Sequence, residues 1–330
     1  MHIPLAVIVI IIIALVFEFI NGFHDTANAV ATSISTKSLE PFQAISIAAI
    51  FNLIGAMCGT AVAVTIAKGF ADPILATHSV IFSALCAAII WNLLTWYFGI
   101  PSSSSHALIG GLVGAIMFNN SWHVINFATV IKKVIIPMVI SPLLGFFVAM
   151  LIVALIHKFL KNNTQPRRTN NFIREIQVFS TAFLAFSHGT NDAQKTMGII
   201  TLTLFSGNLI NACVVPGWVI ITCAVCMALG TVSGGAKIIK TLSTRVAQLK
   251  PANGFAAEIS SATLLFIGSR FGMPLSTTHA VSGSIMGAGN TGHSGINWGI
   301  VKNIVIAWVL TFPVCAVIAG ICLQLAKLFM

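Results

Sequence analysis

Long apolar runs separated by short polar intervals dominate the chain from Ile3 onward. The runs reach the roughly 20 residues that a helix needs to cross a hydrocarbon core, and none alternates with the two-residue period of a membrane barrel. The pattern predicts an all-α, polytopic membrane protein. Polar residues interrupt the runs at 22–35, 101–106, 188–195 and 274–279. Lipid cannot satisfy freed backbone groups, so each interruption is expected to be a broken or re-entrant half-helix, buried in protein or lining a wet cavity. Residues 41–68 and 73–99 read as ordinary spans.

The interruptions come in pairs. GIPSSSSHALIGGLVGA at 99–115 recurs as GMPLSTTHAVSGSIMGA at 272–288, and Gly22, Asp25 and Asn28 recur at one offset as Gly189, Asp192 and Lys195. The whole layout is therefore duplicated: residues 1–160 form a first repeat, 172–330 a second, and the polar stretch KNNTQPRRTNN at 161–171 a cytoplasmic linker. Span-length arithmetic gives about five crossings per half and about ten in all, broken segments included. An odd count per half makes the repeats inverted, the plan of secondary transporters, with substrate at the repeat interface.

Charge refines this picture. The net charge of +10 is carried mainly by short connections between apolar runs, which is positive-inside patterning and excludes a nucleic-acid footprint. It places the linker and the loop bearing Lys237, Lys240, Arg245 and Lys250 inside, and both termini outside, with Lys132 and Lys133 dissenting. Only 7% of residues are charged against 57% hydrophobic, so the few acids inside spans are functional candidates by default. Seven cysteines, mostly within apolar runs, imply no disulfide framework. Residues 1–20 lack the basic start and cleavage site of a signal peptide and are expected to remain as the first helix.

At the centre, donors outnumber acids. Ser103, Ser104, Ser105, Ser276, Thr277 and Thr278 follow helix-restricting prolines, where hydroxyls and backbone N–H groups at a half-helix N-terminus hold an oxyanion. Asn28, Asn191 and Lys195 complete the anion set. Asp25 and Asp192 suit a coupling cation or proton, with His24 as relay or as a tautomer fixed by a backbone carbonyl. Two acids beside an anion site imply symport. Glu18 reads equally as a functional group or as an interfacial or internally paired acid. Glu258 reads as a cation or proton site, or as the partner of Arg270 in a buried salt bridge. His106 and His279 are expected to orient the hydroxyl turns.

These residues resemble the inorganic phosphate transporter family. Its repeated signature, of the form GANDVANA, is similar to GFHDTANA at 22–29 and, more loosely, to GTNDAQKT at 189–196, and the paired Pro-Ser/Thr-His segments also match. The resemblance implies an inverted-repeat helical fold, a homodimer, and movement of inorganic phosphate with cations. It puts Asp25 and Asp192 on the family's essential aspartates, and Asn28, Ser103 to Ser105 and Ser276 to Thr278 on its substrate and ion site. Phe23 and His24 stand where sodium-coupled members have Ala-Asn, a spelling similar to the bacterial proton-coupled branch, which carries phosphate, often as a neutral metal phosphate. The expectation is thus proton coupling before sodium, in the cytoplasmic or inner membrane, with no cofactor beyond the coupling ion and no resident metal. A sulfate permease of the same design is the alternative. An intramembrane serine hydrolase is disfavoured, because Ser105 and His106 are neighbours that point differently on a helix.

Overall fold

A backbone in lipid must satisfy its own hydrogen bonds, so apolar runs fold as helices. In the computed structural model, which describes residues 4–69, 72–160, 166–291 and 295–329, helices are the only regular elements among the described residues. In chain order they are α1 Leu5–Ser35, α2 Pro41–Ala56, α3 Ala61–Gly69, α4 His78–Phe98, α5 Ser104–Asn119, α6 Phe127–Val130 and α7 Ile136–Leu160. The second half supplies α8 Pro166–Ser206, α9 Gly217–Ser233, α10 Ala236–Lys240, α11 Pro251–Arg270, α12 Thr277–Gly289 and α13 Trp298–Phe329. A π-turn at Ile131–Ile135 joins α6 to α7. Among the described residues four helices are long and apolar enough to cross a membrane, or up to six if each of two bent pairs counts as one span.

Two expectations need correction. The polar stretches at 22–35 and 188–195 do not break their helices: α1 and α8 run unbroken through Asp25 and Asp192. Gly, His, Asp and Asn are poor helix formers by at most about 1 kcal/mol each, and neither stretch contains proline. One bend falls in a span that read as ordinary, 41–68, and the other opens the stretch that read as a basic loop, which is helical from Ala236 to Arg245. α2 meets α3 at 66°, and α9 meets the Ala236–Arg245 segment at 64°. The first bend is stabilised from afar, since Gln194 Oε1 accepts from Val62 N–H at 2.7 Å. Of the segment read as a linker, residues 161–165 lie outside the described residues, and α8 begins at Pro166.

The two Pro-Ser/Thr segments do interrupt their helices, as expected. Gly99 and Gly272 end α4 and α11 with φ of 66° and 63°, a left-handed conformation that glycine adopts without penalty. Pro101 and Pro274 then bar helix, and Ser103 and Ser276 cap α5 and α12. Each half thus contains a helical hairpin, α4–α5 and α11–α12.

The packing is reciprocal. α1 lies against α9 as α8 lies against α2, and α5 lies against α13 as α12 lies against α7. At the first crossing Gly22 faces Met227 O and at the second Gly189 faces Asn52 O, each too close for a Cβ. α1 and α8 run antiparallel, because Glu18 meets Thr196 at one end and Thr36 meets Gln177 at the other. Two apolar cores flank the middle of this pair. Val7 to Phe17 of α1 and Ala193 to Leu204 of α8 enter one, while Ala27 and Ala31 of α1 and Leu184 of α8 enter the other. Both polar motifs sit where their helices pass from one core to the next.

Candidate functional site

The hairpin tips meet the motif helices in one buried cluster. His24, Asp25, Asn28, Ser103, Ser104, Ser105, Asn191, Asp192, Lys195, Ser276, Thr277 and Thr278 are each no more than 2% exposed. Every anion-site and aspartate position expected from the sequence is therefore brought together.

The hydrogen bonds repeat across the two halves. Ser104 donates to Asp25 Oδ2 at 3.3 Å, and Thr277 donates to Asp192 Oδ1 at 2.7 Å. Asn28 Nδ2 donates to Thr278 Oγ1 at 2.9 Å, and Lys195 Nζ donates to Ser105 Oγ. Thr278 donates to the Ser102 carbonyl at 2.8 Å, and Ser105 to the Leu275 carbonyl at 3.3 Å. The first N–H groups of α5 and α12 are engaged alike: His106 N–H donates to Ser103 Oγ at 3.2 Å and His279 N–H to Ser276 Oγ at 3.3 Å. The His106 and His279 rings then face each other, with centroids 4.8 Å apart.

The two carboxylates differ in company. Asp25 Oδ1 lies 2.7 Å from His24 Nδ1, whose Nε2 is 3.0 Å from Thr95 Oγ1. Asp192 Oδ1 accepts from Lys195 Nζ, Asn191 Nδ2 and Thr277, all at 2.7 Å. Asp192 Oδ2, Asn28 Oδ1 and Asn191 Oδ1 have no hydrogen-bond partner. Leaving such a group buried and unpaired costs about 1–3 kcal/mol, and oxygens of this kind are what a hard cation takes as ligands.

His188 was not among the expected site residues. It stands one helical turn before Asp192, with Nε2 3.5 Å from Asp192 Oδ2 and Nδ1 3.0 Å from Asn52 Oδ1. Asp25, His188 and Asp192 offer ligand atoms within 4.8 Å of one another, a grouping able to hold a metal ion, although no metal ligand was expected. The signal was the four-residue spacing of His188 and Asp192, which shares a face only if the helix continues. Thr95 was also missed, and Ser102, which belongs to the hydroxyl run but not to the expected anion set, donates to Thr95 at 2.8 Å and so fixes the group that holds His24.

Glu258 belongs elsewhere. Its carboxylate accepts from Thr32 at 2.6 Å, Gln177 at 3.0 Å, Thr181 at 3.2 Å and Ser180, in a junction of α1, α8 and α11. The salt bridge to Arg270 is not formed; Arg270 ends α11 three turns away, over the Phe266 ring.

Comparison with known proteins agrees with this geometry. Residues 21–319 match the model of the phosphate transporter family. The chain is 44% identical to a probable low-affinity inorganic phosphate transporter of Bacillus subtilis, over 95% of both chains. It is also 44% identical to one of Rhizobium meliloti, over 97% of this chain and 96% of that one. In fold it is similar to a solved structure described as the sodium-dependent phosphate transporter, with a TM-score of 0.86 and 24% identity over 99% of this chain and 100% of that one. On the family match, the relatives and the repeated aspartate and Ser/Thr motifs, the chain belongs to the phosphate transporter family.

Proposed function

We propose that the chain is a secondary active symporter that imports inorganic phosphate, with protons rather than sodium as the coupling ion, across the bacterial cytoplasmic membrane. The observation that carries this reading is the cluster itself: two hydroxyl-bearing hairpin tips and two aspartates, bonded in matching pairs and sealed from solvent. Asn28, Ser103, Ser104, Ser105, Asn191, Lys195, Ser276, Thr277 and Thr278 form the anion cradle, and Asp25, Asp192 and His24 take the coupling cation. Glu258 acts from its own network at the junction of α1, α8 and α11.

A site this closed must open to one side at a time, so we read the cycle as alternating access about two inverted halves, residues 1–160 and 172–330. The antiparallel run of α1 and α8, which carry the same motif, supports the inversion. In this reading about ten crossings, broken segments included, leave both termini outside, and the protein works as a homodimer.

Proteoliposomes holding the purified chain test the reading. Labelled phosphate is expected to accumulate under an inward proton gradient with sodium replaced by choline, to resist excess sulfate, and to stay at background in Asp25→Asn. Accumulation only with sodium refutes proton coupling. Loss of phosphate uptake in excess sulfate favours the sulfate alternative, and wild-type uptake in Asp25→Asn removes the aspartate from the mechanism.

A further inference from the structure

Glu18 lies on α1 seven residues before Asp25, two helical turns or roughly 10 Å along the axis, and it is fully buried. Its Oε2 accepts from Thr196, the residue next to Lys195 on α8. Its Oε1 has no hydrogen-bond partner, and neither has either side-chain atom of Asn21, itself fully buried. Glu18 and Asn21 stand at i, i+3 and share a helix face, so three buried polar atoms without partners converge beside α8. Native proteins pair nearly all such atoms, and a group of exceptions marks a place that receives something.

The polar column extends toward the aspartates. α1 and α4 run parallel, since Leu5 and Val9 line the same cavity as His78 and Phe82 while His24 meets Thr95. That register sets Asn21 level with Asn92 of α4, whose side-chain oxygen and nitrogen are also buried without partners. Positions 18, 21 and 25 then follow one face of α1 at helical spacing, from Glu18 through Asn21 to Asp25.

The titratable groups acting on Glu18 are Lys195 and Asp192 from α8 and Cys223 and Cys226 from α9. α4 brings no charged residue between Ala87 and Thr95. Among the described residues none forms an ion pair with Glu18. Glu258 is the instructive contrast, because four donors occupy its two oxygens and leave little acceptor capacity unused. Glu18 has one formed hydrogen bond, from Thr196, and only the Asn21 amide beside its other oxygen.

We propose that Glu18, with Asn21 and Thr196, is a proton-binding station of the transport cycle, distinct from the aspartate site and joined to it by Thr196 and Lys195. The carboxylate takes a proton from water on one side of the membrane at Oε1 and returns it to water on the other, with Asn21 holding the neutral acid by hydrogen bonds. The inference rests on the proton-coupled symport proposed above.

The experiment compares wild type, Glu18→Gln and Glu18→Asp in proteoliposomes, in three arms: phosphate counterflow at equal pH on both sides, phosphate accumulation under an imposed proton gradient without sodium, and proton entry with phosphate read by a trapped pH dye. Glu18→Gln is expected to keep counterflow but to lose gradient-driven accumulation and phosphate-linked proton entry, while Glu18→Asp regains part of both. Counterflow also certifies that the variant is folded. Wild-type dependence on the gradient in Glu18→Gln overturns the inference. So does loss of counterflow together with accumulation, which makes Glu18 a support of the phosphate site. Absence of gradient-driven accumulation in the wild type is a separate result: it removes the symport reading, and the Glu18 station with it.

Discussion

The two aspartate arms share a frame and differ in what fills it. Ser104 on Asp25 matches Thr277 on Asp192, Asn28 on Thr278 matches Lys195 on Ser105, and both hairpin tips reach across to the opposite carbonyl. Within that repeat, the residue three after the aspartate is an amide in one arm and an ammonium in the other. Asp192 therefore carries its own cation at 2.7 Å, whereas Asp25 has only the imidazole of His24. Because the frame is held constant, the contrast isolates chemistry. Under the symport reading, both aspartates face the coupling cation, but one oxygen of Asp192 is already compensated from within by Lys195, whereas Asp25 depends more fully on the cation from outside.

The largest effect that tests this contrast is on stability. Lys195→Met strips the cation from a fully buried carboxylate, and breaking a buried pair in this way destabilises by about 3–5 kcal/mol. Asp25→Asn keeps the shape and leaves no charge unpaired, so its loss stays within the roughly 1–3 kcal/mol of disturbed hydrogen bonds. Thermal unfolding in detergent reads both. Adding Asp192→Asn to Lys195→Met is expected to recover most of the deficit, since the orphaned charge is then gone. Equal losses for the two single variants, with no recovery in the double, break the asymmetry.

A smaller effect sharpens it. Thr277 donates to Asp192 at 2.7 Å and Ser104 to Asp25 at 3.3 Å. Bonds to ionised groups contribute about 1.5–3 kcal/mol when well formed, so Thr277→Ala is expected near that range and Ser104→Ala below about 1 kcal/mol. The same unfolding assay measures both. A larger loss at Ser104 reverses the order of the two arms.

Much of this architecture was legible in the sequence. Apolar run length gave the helices, and the duplicated Gly-Pro-Ser/Thr-His segments gave both hairpin tips, because proline and a left-handed glycine act locally. The errors at α1 and α8 share one cause. Gly22, His24 and Asp25 read as a helix break because the run turns polar there, yet each costs a helix little in propensity and a buried helix keeps its backbone bonds within itself. Reading a break there also hid the four-residue spacing that turns His188 toward Asp192. Conversely, the bend between α2 and α3 depends on Gln194, more than a hundred residues away, and Glu258 draws its donors from α1 and α8. Partners so distant leave no local pattern.

The smallest prediction concerns a place where the arms must not differ. Ser103 and Ser276 each accept an N–H from the third residue onward, at 3.2 and 3.3 Å, and each is at most 2% exposed. Replacing a serine cap by alanine costs about 1 kcal/mol, and neither cap touches a carboxylate. Ser103→Ala and Ser276→Ala are therefore expected to lower stability by the same amount within about 0.5 kcal/mol, and to add in the double variant if the two tips fold independently. The tips are not remote, however: their histidine rings lie 4.8 Å apart and Thr278 donates to Ser102 O. A double-variant loss that departs from the sum by more than that margin measures how far one tip supports the other. Unequal single losses carry a different meaning, for they place the asymmetry in the backbone frame and not in Lys195 and His24.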